Sequence, residues 1–307
     1  MELEESFGKI VGRRAFGSNL LWATLGGSLA GSRAWVCANT EAIGGKPLVT
    51  DFGVCASYEH FAMLKQAGYG YLEDNTQRLL QPEQSESVVA PVMEKIRQEK
   101  IVILACNSFL PKSLRSVGKE ADHEGILKYA EVAFRRAQAI GVRGIVFGSA
   151  GSRKLPEGFP RAKGEAQFVE LLQKMLPIAE KHKVEVWLEP LNRREDNFIN
   201  TQRQGAAIIE KVGHPSLGLT CDLFHAARNG ESPEELQQFT KYMKHCHIAE
   251  EKRRTPPGTE NYDFKPYLRA LREGGYSGRM SMECQWKEMS EQAPKALRAV
   301  KEQIGEL

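Results

Sequence analysis

From residue 39 onward, short apolar runs alternate with longer stretches in which apolar residues recur every three or four positions. The short runs predict strands near Leu48–Val54, Gly70–Glu73, Ile101–Cys106, Gly144–Gly148, Val184–Glu189, Leu217–Asp222, Met243–Ile248 and Arg279–Glu283. The longer stretches predict helices over Ile126–Ile140, Ala166–His182, Gln202–Val212, Pro233–Phe239, Lys265–Glu273 and Glu291–Ile304. Gly68, Gly141, Gly213 and the pair Gly274-Gly275 stand where helices end, a position that favours a residue without Cβ. The pattern resolves least across the connection from Glu73 to Ile101. At about one βα unit per 34 residues, this alternation fits a single (β/α)8 TIM barrel, for which roughly 250 residues is typical. The rival architecture, a doubly wound open sheet, lacks the G-x-G-x-x-G fingerprint in its first βα turn.

Residues 1–38 break the pattern. Lys9, Arg13 and Arg14 precede an uncharged Leu-, Ala- and Gly-rich stretch from Asn19 to Ala30, and Val36-Cys37-Ala38 has the small-residue character of a signal-peptidase site. This is the three-part layout of an export signal. Arg13-Arg14-Ala15-Phe16 resembles a twin-arginine signal, although Gly12 and Gly17 depart from that motif. The expected division is therefore 1–38 export signal and 39–307 TIM-barrel catalytic domain. It implies a periplasmic protein exported by the twin-arginine route, or a cytoplasmic one should residues 1–38 be only a basic N-terminus.

Composition narrows the function. With 41% hydrophobic and 26% charged residues, the chain has material for a large core and is neither disordered nor fibrous. Its 42 basic and 39 acidic residues leave a net charge of +3, too even for a nucleic-acid surface. Six cysteines without framework spacing read as free thiols. No apolar run approaches the ~18 residues of a membrane span.

The chemistry lies at the strand ends. Strand five ends in Glu189, strand six in Asp222, strand seven in His247-Ile248 and strand eight in Glu283. Side chains alternate with period two. Leu217, Leu219 and Cys221 then face the helices while Gly218, Thr220 and Asp222 face inward, and Met280 and Met282 oppose Ser281 and Glu283 in the same way. Glu189, Asp222, His247 and Glu283 should thus converge at the C-terminal mouth, where active sites of this fold sit. Three carboxylates in one mouth repel one another unless a cation lies between them. Three oxygens and one imidazole suit hard Mn2+ or Mg2+ better than a thiolate-bound zinc. His245 shares the inward parity one layer deeper. Cys221, Cys246 and Cys284 have outward parity and read as packing, Cys106-Asn107 at the end of strand three reads as lining the mouth, and Ser149–Arg153 reads as a Gly-containing turn or a small anion cradle.

Glu189-Pro190-Leu191-Asn192-Arg193-Arg194-Glu195 resembles the E-P-L-N-R-x-E motif of xylose-isomerase-like TIM barrels, in particular the ketose 3-epimerases and hydroxypyruvate isomerases. Asp222-Leu223-Phe224-His225 is similar to their D-x-x-H, and His247 with Arg253 to their H-x5-R. The resemblance implies one divalent cation per chain, Mn2+ foremost with Mg2+ or Co2+ as alternatives, held by Glu189, Asp222, His247 and Glu283. It implies Glu189 and Glu283 as the acid/base pair, His225 and Arg253 as ligands of substrate oxygens, and Glu195 as their support. The reaction implied is proton abstraction beside a carbonyl through an enediolate, on a small carbohydrate.

Three functions follow from that resemblance: a sugar isomerase/epimerase, a lyase or hydratase on 3-keto glycosides, or a non-catalytic carbohydrate-binding barrel. The related DNA-repair endonucleases use a trinuclear cluster with extra His ligands. Here strand three ends in Asn107 and no D-x-H pair follows His247. Long polar loops, Asp74–Val88 and Ser149–Arg161 among them, predict a mouth wider than one sugar ring needs, with Arg153 and Arg161 available to the ligand. Trp286 offers a flat apolar face, and a homo-oligomer is left open.

Overall fold

The computed structural model describes residues 46–307. The expected export signal lies outside the described residues. Eight strands, β1 (Val49–Cys55), β2 (Tyr71–Asn75), β3 (Ile103–Asn107), β4 (Gly144–Phe147), β5 (Glu185–Leu188), β6 (Leu217–Asp222), β7 (Met243–Ile248) and β8 (Gly278–Met282), close in chain order into a parallel barrel. Around it run α1 (Phe61–Gln66), α2 (Thr76–Leu79), α3 (Glu86–Gln98), α4 (His123–Ala139), α5 (Ala150–Arg153), α6 (Arg161–Lys181), α7 (Gln202–Val212), α8 (Leu223–Asn229), α9 (Pro233–Gln237), α10 (Lys265–Glu273) and α11 (Met289–Gly305). The sheet closes by β1 pairing with β8, Gly53 opposite Ser281. Among the described residues, no helix is long and apolar enough to cross a membrane.

The pattern of β6 explains the core. Leu217, Leu219 and Cys221 are buried in the apolar shell shared by barrel and helices. The inward parity builds a second, smaller interior. Ala105, Val146 and Trp187 form its apolar part, while Glu73, Thr220, His245 and Ser281 are buried polar groups. Gly144 is required here, because a Cβ would collide with the Trp187 indole.

The connection from Glu73 to Ile101 folds into α2 and α3. Pro91 inside α3 and the polar residues at its start hide the helix from a pattern reading. Its first turn is tied down by Arg136, a nearly buried guanidinium that donates to the carbonyls of Leu80, Gln81 and Gln84 and pairs with Glu86. α7 begins with a capping box between Thr201 and Gln204 and ends at Gly213 with φ of 66°.

Two loop expectations are corrected. Arg153 does not reach a ligand: it is fully buried, with Nε on Asp196 at 2.8 Å and its terminal nitrogens on the carbonyls of Phe147 (2.8 Å) and Glu189 (2.7 Å). Arg161 donates to the carbonyls of Asn197 and Phe198 and stacks on the Phe198 ring. Both cations are spent on backbone carbonyls of neighbouring segments, chiefly the loop after β5. Ser149–Arg153 becomes the single-turn helix α5, in which Ser152 donates to the Leu114 carbonyl.

Candidate active site at the barrel mouth

Glu189, Asp222, His247 and Glu283 come from four consecutive strand ends, and their ligand atoms all lie within 4.8 Å of one another. Such a set could hold a metal ion. His247 is fully buried at its centre, with Nδ1 3.0 Å from Glu189 Oε1 and 2.8 Å from Glu283 Oε2. The register that pairs Asp222 with His247, and His247 with Ser281, sets these heights. Gly148 makes room for the group, since a Cβ there would strike Glu189 Oε2.

Asp222 has two tasks. Its Oδ1 accepts from the backbone N–H of Phe224 (2.8 Å) and caps α8, while Oδ2 faces the mouth. His225, one turn into α8, is buried with Nε2 3.5 Å from Asp222 Oδ2. Its Nδ1 accepts from the backbone N–H (3.2 Å) and side-chain amide (2.8 Å) of Asn192, which places the ring proton on Nε2. Asn192 in turn donates to Glu195 at 2.8 Å. Glu195 is exposed and reaches the centre only through Asn192 and His225. Asn192 lies inside the Glu189–Glu195 stretch, where the sequence alone gives it no role.

Arg253 is not brought to the mouth. Its side chain is 71% exposed and pairs with Glu260 at 2.6 Å. Arg254 enters instead, bonding Asp222 Oδ2 at 2.8 Å and Glu283 Oε2 at 2.6 Å, with its guanidinium over the Phe224 ring. The reason is backbone geometry. Arg254 adopts φ of 56°, and its carbonyl accepts from Gln285 N–H at 2.7 Å, so the chain turns inward one residue later than the motif predicts. Glu250, fully buried, braces this loop by accepting from Thr255 Oγ1 and from the backbone N–H groups of Gly258 and Glu260.

A fourth carboxylate, Glu73 on β2, also enters the barrel. Both its oxygens lie 3.0 Å from His247 Nε2, and Oε2 lies 2.8 Å from His245 Nε2. Tyr71 and Glu73 alternate with outward Leu72, so the parity of β2 alone aims Glu73 inward. Cys55, Glu73 and His247 form a second cluster of the kind that could hold a metal.

The electrostatics follow from burial and these contacts. Burial pushes the Glu189 carboxyl up, opposed by its His247 hydrogen bond. Burial also works against ionised Glu283, but Arg254 and His247 outweigh it and hold that carboxyl at about 2. For Glu73, burial is overcome by His247 and His245, and its pKa is lowered. Burial opposes charge on His247 too, yet Glu73 and Glu283 raise its pKa well above the ordinary value.

The mouth opens into a cavity of about 250 Å³, lined among others by Cys55, Glu73, Asn75, Asn107, Arg254 and Glu283. This is below the roughly 300–1,000 Å³ of pockets that enclose drug-sized ligands. The long loops from which a wide mouth is expected fold in part into α2, α3 and α5. Trp286 packs against the outer core and is not among the cavity-lining residues. Cys221 and Cys246 are buried free thiols, as the parity of their strands predicts, whereas Cys106 packs in the core and only Asn107 of that pair lines the cavity.

The family model for xylose isomerase-like TIM barrels matches residues 61–303. A mouse protein provisionally named hydroxypyruvate isomerase is 34% identical over 134 residues, 41% of this chain and 48% of that protein. A protein of Synechocystis sp. provisionally named ketose 3-epimerase is 30% identical over 206 residues, 64% of this chain and 69% of that protein. The chain thus spans about half the length of the first of these relatives. Among solved structures, the D-psicose 3-epimerase of Clostridium cellulolyticum H10 with D-tagatose superposes with a TM-score of 0.73 at 18% identity, covering 83% of this chain and 99% of that one.

Proposed function

Because this chain belongs to the xylose isomerase-like TIM barrel family, we propose that it is a divalent-metal-dependent sugar isomerase/epimerase acting on a small ketose. One observation carries the reading: three carboxylates and one imidazole from four strand ends meet with their ligand atoms within 4.8 Å, beside a small polar cavity. The donor set fits a hard divalent ion, Mn2+ foremost, with Glu189, Asp222, His247 and Glu283 as its holders. Bound there, such an ion supplies Lewis acidity to a substrate carbonyl and its neighbouring hydroxyl, and so acidifies the C–H between them.

The rest is the work of the chain. Glu283, which lines the cavity, takes the proton from that carbon, leaving an enediolate. Glu189, on the other side of His247 Nδ1, returns a proton from the opposite face. Return to the same carbon is epimerisation, and return to its neighbour is isomerisation. Arg254 reaches the charge-bearing oxygens with a fixed guanidinium fork, and His225 offers Nε2–H at the Asp222 side. Asn75 and Asn107 line the cavity as hydroxyl partners. The relatives named ketose 3-epimerase and hydroxypyruvate isomerase support this substrate class.

The test is metal-reconstituted full-length protein with a panel of free ketoses and 3-keto glycosides, alongside Glu283→Gln. Interconversion of a ketose pair, reduced at least ~100-fold in the variant while metal is retained, is the expected result. Aglycone release from a 3-keto glycoside without ketose interconversion would replace this reading with a lyase. Residues 1–38 are proposed as a twin-arginine-type export signal. Periplasmic delivery of a reporter fused to them, lost in Arg13→Lys/Arg14→Lys, tests that assignment.

A further inference from the structure

We propose that Glu73 is a positioning residue that holds a proton on His247 Nε2, so that Nδ1 is the nitrogen left to bind an ion held by Glu189, Asp222 and Glu283. The inference rests on the metal-dependent reading above and adds a residue to which that reading gives no role. Glu73 is fully buried, and its two oxygens are both 3.0 Å from His247 Nε2. An ionised carboxylate only accepts hydrogen bonds, so Nε2 must be the donor. By the same rule Nδ1, the atom that faces the other three side chains, donates to Glu189 and Glu283, so the ring carries both protons; an ion held by Glu189, Asp222 and Glu283 would take the place of the Nδ1 proton alone, because Glu73 keeps the one on Nε2.

Glu73 is itself held in place. Its Oε2 takes a second bond, from His245 Nε2 at 2.8 Å. His245 is stacked on Trp187, with ring centroids 5.0 Å apart at 25°, and its Nε2 also lies 3.1 Å from Ser281 Oγ. The carboxylate is therefore gripped from below by His245 and grips His247 above. A carboxylate on the far nitrogen of a ligating His commonly orients the ring, and its loss costs about 10–100-fold in metal affinity. Gln at position 73 would offer one acceptor oxygen and a donating NH2 to two imidazole N–H groups. One ring would then have to rotate or move its proton, and for His247 either change spoils Nδ1.

The competing use of Glu73 is as a ligand in the second cluster, with Cys55 and His247. That use needs His247 Nε2 for the ion, the atom that Glu73 already occupies.

The experiment titrates wild-type protein, Glu73→Gln and His245→Asn with Mn2+, following free ion by electron paramagnetic resonance. It also records the 15N imidazole spectrum of the wild type with diamagnetic Mg2+ or Zn2+ bound. We expect one ion per chain in the wild type, affinity about 10–100-fold lower in Glu73→Gln, and a smaller loss in His245→Asn. The wild-type spectrum should show His247 protonated on Nε2. That spectrum needs no variant, so it decides the matter even if Glu73→Gln fails to fold. Unchanged affinity in Glu73→Gln, a His247 ring ligating through Nε2, or a second ion that Glu73→Gln alone removes would each overturn the role of Glu73. No divalent ion bound by wild-type protein would overturn the metal-dependent reading and this inference together.

Discussion

Replacing Arg153 with Met should destabilise the barrel strongly although the residue touches no ligand. Arg153 and Asp196 are each 0% exposed and bond at 2.8 Å. The guanidinium also satisfies the carbonyls of Phe147, at the end of β4, and Glu189, just beyond β5, and reaches that of Ile199 at 3.3 Å. Met fills similar volume but leaves a buried carboxylate with no countercharge. Breaking a buried pair from one side costs about 3–5 kcal/mol. At about 2–4 °C per kcal/mol for a domain of this size, the melting temperature should fall by roughly 6–20 °C. Differential scanning calorimetry measures it directly. Arg153→Met/Asp196→Asn neutralises both partners while the Asn oxygen can still accept from the Phe198 N–H, so it should be more stable than Arg153→Met alone. A melting temperature for Arg153→Met within about 2 °C of wild type, or a double variant less stable than the single, would refute the reasoning.

Arg254→Ala should lower kcat/KM for the ketose substrate by at least ~10-fold, the loss of one charge-assisted contact, whereas Arg253→Ala should leave it unchanged; the reverse ranking would return the motif's original reading. Gly148→Ala should keep the fold and weaken Mn2+ binding, because its methyl group competes with the Glu189 carboxylate for space, and undiminished affinity would count against that packing. Burial raises the Glu231 carboxyl to about 7, despite the 2.7 Å bond it accepts from Gln202 N–H. The folded protein then holds a proton that the unfolded chain has released between about pH 4.5 and 7, so stability falls as pH rises through that window, by about 3 kcal/mol in total. Urea midpoints at pH 5 and pH 8 should show this fall in wild type and a smaller one in Glu231→Gln; equal falls would remove Glu231 as its cause.

What the sequence reveals here depends on how far each residue's position is set locally. Strand parity is local, so the alternation in Leu217–Asp222 suffices to aim Asp222 inward, and the same rule extends to Glu189, His247 and Glu283. It applies equally to Glu73 in the second strand. Loops obey no such period. Whether Arg253 or Arg254 faces the mouth is decided by one left-handed residue and by a buried Glu250 whose partners lie up to twelve positions away. Arg153 reads as a surface cation from its loop of Ser and Gly, and only the tertiary placement of Asp196 shows why it is buried. α3 is obscured by Pro91, and its anchor, Arg136, lies on another helix.

The central claim is that Glu189 and Glu283 move a proton at the carbon beside a ketose carbonyl. Deuterium incorporation measures this most directly: metal-loaded protein in D2O is incubated with free ketoses and the sugars are analysed by proton NMR. The account predicts solvent deuterium at the carbon next to the carbonyl in the product epimer or isomer, and no incorporation above background with Glu283→Gln. Stoichiometric metal binding with no exchange into any ketose, together with aglycone release from a 3-keto glycoside, would contradict it.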